Sequence, residues 1–226
     1  MGKQTYNGAM RVAMIASVPE REQMLEKTVE SLRPQVDEIR VALNSYSHLP
    51  KFLNKAEVVM LDNEKGDAGK HYFADQFEGY LLSCDDDLIY PPDYADYMIA
   101  GVDKYKCACS LHGRVYKFRP IINFQMMFIG YPCLSTVQLD MRVDIGGTGV
   151  MCWHTDFLKI RYEEFKSKNM SDLWFAKQCI EQNVKIMCLA HRGDYLKYQG
   201  PTWTIWDESA KNGFREQTEL MRTFLK

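Results

Sequence analysis

The most constraining feature of this sequence is an alternation, in its first half, of short apolar runs with amphipathic stretches. The runs are Val12–Ala16, Ile39–Leu43, Val58–Leu61 and Tyr80–Cys84. Uninterrupted apolar runs of this length are typical of strands buried on both faces of a parallel sheet. After the first run, apolar residues recur at helical spacing as far as Pro34, which predicts a helix. Repeated β-α units with short links predict an α/β fold, a mostly parallel central sheet flanked by helices.

Local signals place further elements. Ser17–Glu20 has the pattern of a capping box with a proline near the first helical position, and Ser171 is expected to cap a later helix. Further helices are predicted over Lys70–Phe77, Asp93–Tyr105, Ser171–Ile180 and Ala210–Leu225, and further strands over Cys107–Leu111, Val150–Trp153 and Val184–Leu189.

Three consecutive acids, Asp85–Asp87, follow the fourth apolar run and precede Tyr90–Pro92. An isolated acidic triplet is most often a solvated turn. Here a buried strand delivers the acids to a sheet edge, where adjacent carboxylates need a cation or a proton to relieve their repulsion. Ser17, Asn44 and Asp62 stand at the ends of the other three runs and fall on the same edge, where ligands of parallel sheets collect. The pattern favours a divalent metal site.

Composition excludes several classes of protein. The net charge of −2 gives no basic field for nucleic acid or an anionic membrane, and no apolar stretch is long enough to span a membrane. None of the seven cysteines forms a C-x-x-C pair, so they read as reduced thiols of a cytoplasmic protein. Met1–Ala9 is polar and is expected to be a flexible leader ahead of one domain over residues 10–226.

Several blocks of the sequence resemble GT-A-fold glycosyltransferases of the family 2 type and, more faintly, capsid-glycan glycosyltransferases of large algal viruses. The blocks are Leu61–Asn63, Gly66–Lys70, Cys84–Tyr94, Gly147–Gly149, Ser171–Ala176 and His191–Arg192. The resemblance covers roughly residues 10–197 of the chain. The resemblance implies a GT-A fold with a nucleotide-binding half in residues 10–105 and an acceptor half in residues 106–226.

The resemblance also implies a reaction: metal-dependent, inverting transfer of a sugar from a UDP-sugar donor to a hydroxyl of a glycan or glycoconjugate acceptor. Asp87 would be the principal ligand of Mn²⁺ or Mg²⁺, with Asp85 or Asp86 holding ribose or metal-bound water and His191 as a third ligand. Asp172 would be the base that deprotonates the acceptor. Without the resemblance, Asp172 reads as an acid favoured by the start of a helix, and His191 as a structural histidine.

Donor contacts are expected from the ends of the first strands and from two later loops. Arg21 and Lys70 suit phosphate, although both could be exposed helix charges, and Asp62 suits the edge of uracil. The other expected donor-binding residues are Ser17, Pro19, Asn44, Asp85, Asp86, His112, with Arg114 beside it, and Gly147. The tryptophans Trp153, Trp174, Trp203 and Trp206 are candidates for an acceptor-stacking platform or for the core.

Other assignments stay open. Ser171 stands where the family has the first acid of a pair, so Asp144, Asp156 and Asp207 remain candidate bases. An aspartyl-nucleophile phosphatase also places acids after an apolar strand, but on the first strand and not the fourth. A sugar-phosphate nucleotidyltransferase would need a glycine-rich loop where Ser17–Glu20 stands. A non-catalytic nucleotide-sugar-binding module is the remaining alternative.

Overall fold

A central sheet of eight strands forms the middle of the structure, a computed structural model that describes residues 8–200 and 210–226. The strands of the described residues are, in chain order, β1 (Met10–Ser17), β2 (Glu38–Asn44), β3 (Val58–Leu61), β4 (Gly79–Asp85), β5 (Leu88–Ile89), β6 (Ala108–Ser110), β7 (Gly113–Tyr116), β8 (Phe128–Tyr131), β9 (Met141–Val143), β10 (Ile145–Gly146), β11 (Val150–His154), β12 (Ile186–Cys188) and β13 (Lys197–Tyr198).

Helices and helical turns connect these strands. The helices are α1 (Glu22–Leu32), α2 (Tyr94–Tyr105), α3 (Ser171–Glu181) and α4 (Arg215–Phe224). Short 3-10 turns cover Pro19–Arg21, Lys55–Glu57, Gly66–His71 and Tyr162–Glu164.

The large sheet has the order β3-β2-β1-β4-β11-β6-β12-β9. Strands β3, β2, β1 and β4 pair in parallel, as do β6 and β12. Strand β11 is antiparallel to both of its neighbours, β4 and β6, and β9 is antiparallel to β12. Among the described residues, β10, β7 and β8 form a small antiparallel sheet, and β13 pairs with β5. The predicted α/β class with a mostly parallel central sheet is confirmed.

Strand β1 shows why the sheet is buried on both faces. Its residues Ala13 and Ile15 point into one apolar cluster, with Leu25 of α1 and Met98 of α2. Its residues Val12 and Met14 point into the other cluster, together with α3 and α4. Full burial of an aliphatic side chain of this size contributes about 1.5–3 kcal/mol. The continuous apolar run therefore stabilises both layers.

Most of the predicted elements are present with shifted ends, but three local predictions are wrong. Residues 70–77 do not form a helix, because the chain makes a 3-10 turn over Gly66–His71 and then further turns. No capping box forms after β1, since the hydroxyl of Ser17 donates to Asp86. Ser171 is the first residue of α3, and Met170 occupies the capping position.

Two expectations from composition can be compared with the structure. All seven cysteines are free thiols. In residues 8–200 and 210–226, the helices are all too short or too polar to cross a membrane.

Candidate active site

The predicted convergence of polar residues at one sheet edge is present. Ser17, Asn44 and Asp85 are the last residues of β1, β2 and β4, and Asp62 follows the last residue of β3. These four strands are parallel neighbours, so their carboxyl ends lie side by side. The fold itself therefore assembles polar groups from four separate segments.

Asp86 is the most enclosed of the three acids, with 4% of the residue exposed. Its Oδ2 accepts a 2.6 Å hydrogen bond from Ser17 Oγ, and its Oδ1 lies 2.9 Å from Arg21 Nη1. Burial raises the pKa of Asp86, against the opposing effect of the Arg21 guanidinium. Ser17 and Arg21 thus hold Asp86 in a fixed orientation.

Asp87 shares the same guanidinium, since its Oδ2 lies 3.2 Å from Arg21 Nη1. Burial and the neighbouring Asp85 and Asp86 carboxylates raise the pKa of Asp87 to about 7. Burial and the two neighbouring carboxylates thus outweigh the opposing effect of Arg21 on the Asp87 pKa.

Asp85 pairs with a buried lysine. Lys70, only 3% exposed, places its Nζ 2.5 Å from Asp85 Oδ1. Burial lowers the pKa of Lys70, but the Asp85 and Asp67 carboxylates outweigh burial and raise it. The Tyr90 hydroxyl fixes the other side of Asp85, because it accepts from the Asp85 amide at 2.8 Å and donates to the Gly149 carbonyl at 2.6 Å.

Asp172 comes to this edge through the loop that precedes β11. Its Oδ1 accepts hydrogen bonds from both the amide and the hydroxyl of Thr148, each at 2.7 Å. The next residue, Gly149, packs so closely on Asp85 that an added Cβ would lie 1.9 Å from Asp85 Oδ2. Two consecutive residues therefore bring Asp172 and Asp85 to the same site.

The two histidines of the prediction are both buried or nearly so. The His112 carbonyl accepts from the Gly147 amide at 2.9 Å, and burial lowers the pKa of the His112 ring, against the effect of the nearby Asp172 carboxylate. His191 is 8% exposed, its Nδ1 lies 2.8 Å from the Leu189 carbonyl, and its Nε2 has no hydrogen-bond partner among the described residues. Arg114 packs its guanidinium over Phe124 at 4.5 Å.

Other expected residues have structural contacts. Pro19 is exposed at the start of a 3-10 turn. Asn44 is buried and donates to the Gly66 carbonyl at 2.9 Å. Asp62 is exposed and accepts from the Glu64 amide at 3.0 Å. Direct donor contacts of these three residues stay predictions.

Of the two tryptophans in the described residues, one lies in the core and one is partly exposed. Trp153 is fully buried against Phe175, so of the two alternatives it belongs to the core. Trp174 is partly exposed, with Lys177 over its ring. Trp203 and Trp206 lie outside the described residues.

Two of the alternative candidate bases lie away from this site. Asp144 lies 3.0 Å from Arg119 and accepts from the Tyr116 amide at 2.7 Å, within the small sheet. Asp156 is exposed just beyond the carboxyl end of β11, which is antiparallel to β4, so it lies at the opposite sheet edge from Asp85. Asp207 lies outside the described residues.

Sequence reasoning missed three contributors to this site. The Asp67 carboxyl group is hydrogen-bonded to the Ser171 hydroxyl, Tyr90 bridges Asp85 and Gly149, and Ser83 Oγ donates to the Thr148 carbonyl at 2.5 Å. The flanking glycines of Gly66–Gly69 were a signal for Asp67, because an acid between glycines often lies in a close-packed turn. Tyr90 and Ser83 gave no signal beyond an apolar context.

No preassembled metal cage is present in residues 8–200 and 210–226, where no group of three or more His, Cys, Asp or Glu side chains converges on one point. The oxygen atoms available as metal ligands nevertheless suit a hard divalent cation. Three carboxylates face the charges of Arg21 and Lys70, and oxygen ligands are those that Mg²⁺ and Mn²⁺ prefer. The buried, unpartnered Nε2 of His191 is a further donor atom.

Comparison with known proteins shows the fold. No family model matches the chain, and no curated protein matches it. A crystal structure of S. aureus TarS residues 1–349 matches with a TM-score of 0.50 and 15% identity over 81% of this chain and 58% of that chain. The same TarS fragment in complex with UDP-GlcNAc matches with a TM-score of 0.52 and 16% identity over 87% of this chain and 62% of that chain.

These neighbours have the GT-A glycosyltransferase fold, so that fold, expected from the sequence, is confirmed. The chain spans about 60% of the length of the TarS fragments that it matches.

Proposed function

We propose that this protein is a glycosyltransferase that moves a sugar from a UDP-sugar donor to a hydroxyl of a glycan acceptor. The observation that carries the proposal is the meeting of Asp172 and the acidic triplet through the consecutive residues Thr148 and Gly149. A donor site and a base must lie within one substrate's reach for transfer to occur in one step. The GT-A fold and a TarS neighbour that holds UDP-GlcNAc support the choice of donor.

The diphosphate of the donor is expected near Arg21 and Lys70. Among the described residues, Arg21 engages its acids through Nη1 alone, so its other donors face phosphate oxygens in the proposal. Lys70 already compensates Asp85 and adds a second positive charge at the same edge. Fixed charges of this kind stabilise the negative charge that develops on a departing nucleoside diphosphate.

A divalent ion, Mn²⁺ or Mg²⁺, fits the surplus of carboxylate charge. Asp87 and Asp85 would hold it, with His191 as a third ligand. Such an ion, when bound, supplies Lewis-acid stabilisation of the diphosphate leaving group. Burial and the Asp85 and Asp86 carboxylates raise the pKa of Asp87, so a bound cation would stabilise its ionised form.

The acceptor hydroxyl is expected to give its proton to Asp172. Thr148 occupies Oδ1 of this carboxylate, and the structure records no partner for Oδ2 among the described residues. We assign Oδ2 as the atom that takes the proton, while Oδ1 holds the carboxylate in place. Attack on the sugar carbon from the side opposite the diphosphate gives inversion, which is part of the proposal.

Calorimetric titration of UDP, with and without Mn²⁺ and beside GDP, tests the donor site. Metal-dependent, UDP-selective binding supports the proposal. Absence of binding by either nucleotide contradicts it and favours the phosphatase, for which a phosphate-ester substrate is the next assay.

Turnover of UDP-sugars tests the chemistry and separates an enzyme from a binding module. Asp172→Asn is expected to keep UDP affinity and to lose sugar transfer, or hydrolysis with water as the acceptor. Removal of a general base typically costs about 10²–10⁴-fold in rate. Asp156→Asn, an exposed acid at the opposite edge, is the matched control. Equal activity of the two variants contradicts the assignment of the base.

A further inference from the structure

Four polar side chains from three segments form one continuous hydrogen-bonded chain behind the candidate base. Asp67 Oδ2 contacts Ser171 Oγ, Ser171 Oγ lies 2.7 Å from Thr148 Oγ1, and Thr148 Oγ1 lies 2.7 Å from Asp172 Oδ1. Ser171 and Thr148 are each at most 1% exposed. The chain therefore runs through the protein interior from the Gly66–His71 turn to Asp172.

The number of protons in this series of hydrogen bonds determines the net charge of the four side chains. Three oxygen–oxygen contacts at hydrogen-bond distance need three protons, and the two hydroxyls supply only two. If both acids were ionised, each hydroxyl would donate to its own acid, and no proton would lie between Ser171 and Thr148. One carboxyl group must therefore be protonated for all three hydrogen bonds to exist.

The neighbouring amides indicate which acid holds the extra proton. Asp172 Oδ1, the atom in the chain, also accepts the Thr148 amide at 2.7 Å, and an amide donor disfavours a proton on the same oxygen. In Asp67 the nearby amide, Ser171 N, lies 3.4 Å from the other oxygen, Oδ1, and leaves Oδ2 able to carry the proton. The asymmetry favours a protonated Asp67 and an ionised Asp172.

The charged surroundings of Asp67 agree with this distribution. Burial, together with the Asp172 and Asp85 carboxylates, raises the pKa of Asp67 to about 6. Lys70 and the hydrogen bond with Ser171 act in the opposite direction and lower it. Lys70 is already paired with Asp85. On the far end of the chain, Asp172 faces Lys70 and His112.

We propose that Asp67 is a positioning residue that, in its protonated form, starts a one-way donor chain through Ser171 and Thr148 to Asp172. This inference rests on the proposed role of Asp172 as the base. Each hydroxyl then points toward Asp172, which is both ionised and held by two donors from Thr148. When Asp67 loses its proton, Ser171 donates to Asp67 instead of to Thr148. The Thr148 hydroxyl then lacks the donor that orients and polarises it, so its hydrogen bond to Asp172 weakens.

The kinetic test compares two substitutions of Asp67. Asp67→Asn keeps an N–H donor toward Ser171, whereas Asp67→Ala removes it. Asp67→Ala is expected to lower kcat for UDP-sugar turnover by about tenfold or more, since small misplacements of a catalytic group cost up to about 10²-fold, with KM for the donor little changed. Asp67→Asn is expected to restore most of kcat and to remove the alkaline fall of kcat that deprotonation of Asp67 causes in the unsubstituted protein.

The Ser171→Ala background shows whether the effect runs through the chain. With the hydroxyl removed, Asp67→Ala should cause no further loss of kcat. A full additional loss in that background, or an Asp67→Asn variant as slow as Asp67→Ala, overturns the proposal.

Infrared spectroscopy gives a readout that needs no turnover. The difference spectrum between the unsubstituted protein and Asp67→Asn, titrated from about pH 8 to about pH 4, should contain one carboxylic-acid C=O band with its midpoint at about 6 or above. Absence of the band overturns the proposal even if the protein transfers sugar. Presence of the band in a protein without turnover instead places the error in the proposed function.

Discussion

Lys70 and Asp85 form an ion pair whose two partners are unequally buried. The Lys70 side chain is 3% exposed, whereas the Asp85 side chain is 45% exposed. Water can therefore solvate the carboxylate if its partner is lost, but it cannot reach the ammonium group. The pair depends much more on Asp85 for stability than on Lys70.

This difference in burial predicts that two substitutions lower the free energy of unfolding by unequal amounts. Asp85→Asn leaves a buried ammonium group without its closest counter-ion and is expected to lower the free energy of unfolding by about 3 kcal/mol, the lower end of the cost of breaking a buried pair. Lys70→Met replaces the charge by an apolar side chain of similar length and should cost less than about 1 kcal/mol. Urea denaturation at neutral pH measures both. A larger loss for Lys70→Met than for Asp85→Asn contradicts this account.

Gly149 should be sensitive to a single added methyl group. A Cβ at this position would lie 1.9 Å from Asp85 Oδ2, so Gly149→Ala must displace that carboxylate from Lys70. We expect UDP affinity in the presence of Mn²⁺ to fall about tenfold, about 1.4 kcal/mol, while the protein remains folded. Gly130→Ala in the exposed strand β8 is the matched control. Unchanged affinity in Gly149→Ala would show that the position of Asp85 does not matter for binding.

Asp87 is expected to carry the dependence of nucleotide binding on metal. Asp87→Ala should abolish the difference in UDP affinity measured with Mn²⁺ and with a chelator, because the proposed principal metal ligand is removed. The fold should be retained, since Asp86 keeps its contacts with Ser17 and Arg21. Asp75→Ala, at an exposed position, controls for loss of a surface acid. A metal effect that survives in Asp87→Ala would assign the metal to other ligands.

A buried histidine should make stability depend on pH. His71 is fully buried and stacks on Phe165 with ring centroids 4.7 Å apart, and neither ring nitrogen has a hydrogen-bond partner among the described residues. Burial, with a further contribution from Lys70, lowers the pKa of His71 well below its usual range. The unfolded chain therefore binds a proton below about pH 6.5 that the folded chain does not bind.

Folding stability should consequently fall as pH decreases through this window, and His71→Phe should remove that part of the fall. The difference in unfolding free energy between the two proteins should grow by about 1.4 kcal/mol per pH unit below about pH 6.5. Contributions of opposite sign from Asp67 and Asp87 cancel in the difference. Urea denaturation at about pH 7 and about pH 5 measures it. Parallel pH curves for the two proteins would contradict the burial of an uncharged His71.

The sequence predicted the first four strands well because their apolar runs are local signals. Strand β3 has the predicted bounds, and β1, β2 and β4 extend the predicted runs by one or two residues at their ends. The carboxyl edge followed from the same signals, because parallel neighbours align their ends. Asp172 at this edge was expected from the family resemblance alone.

The parts that could not be predicted depend on contacts between distant residues. Ser17 lies 69 positions from Asp86, whose carboxylate takes the hydroxyl away from a local cap. In place of the predicted helix at Lys70 the chain makes a 3-10 turn whose first residue, Gly66 with φ of 59°, packs on Asn169, where an added Cβ would meet the side chain. The antiparallel placement of β11 between β4 and β6 has no local signal either.

Strand β11 makes the central sheet resistant to a hinge motion. Because it hydrogen-bonds to β4 on one side and to β6 on the other, the backbone ladder continues without a break from β3 to β9. A hinge between the two halves would have to break several backbone hydrogen bonds at once, and a slip of one residue would turn every side chain of β11 to the opposite face. The sheet that carries Asp85 is therefore a rigid frame, and any opening or closing around the candidate site is left to the loops at its edge.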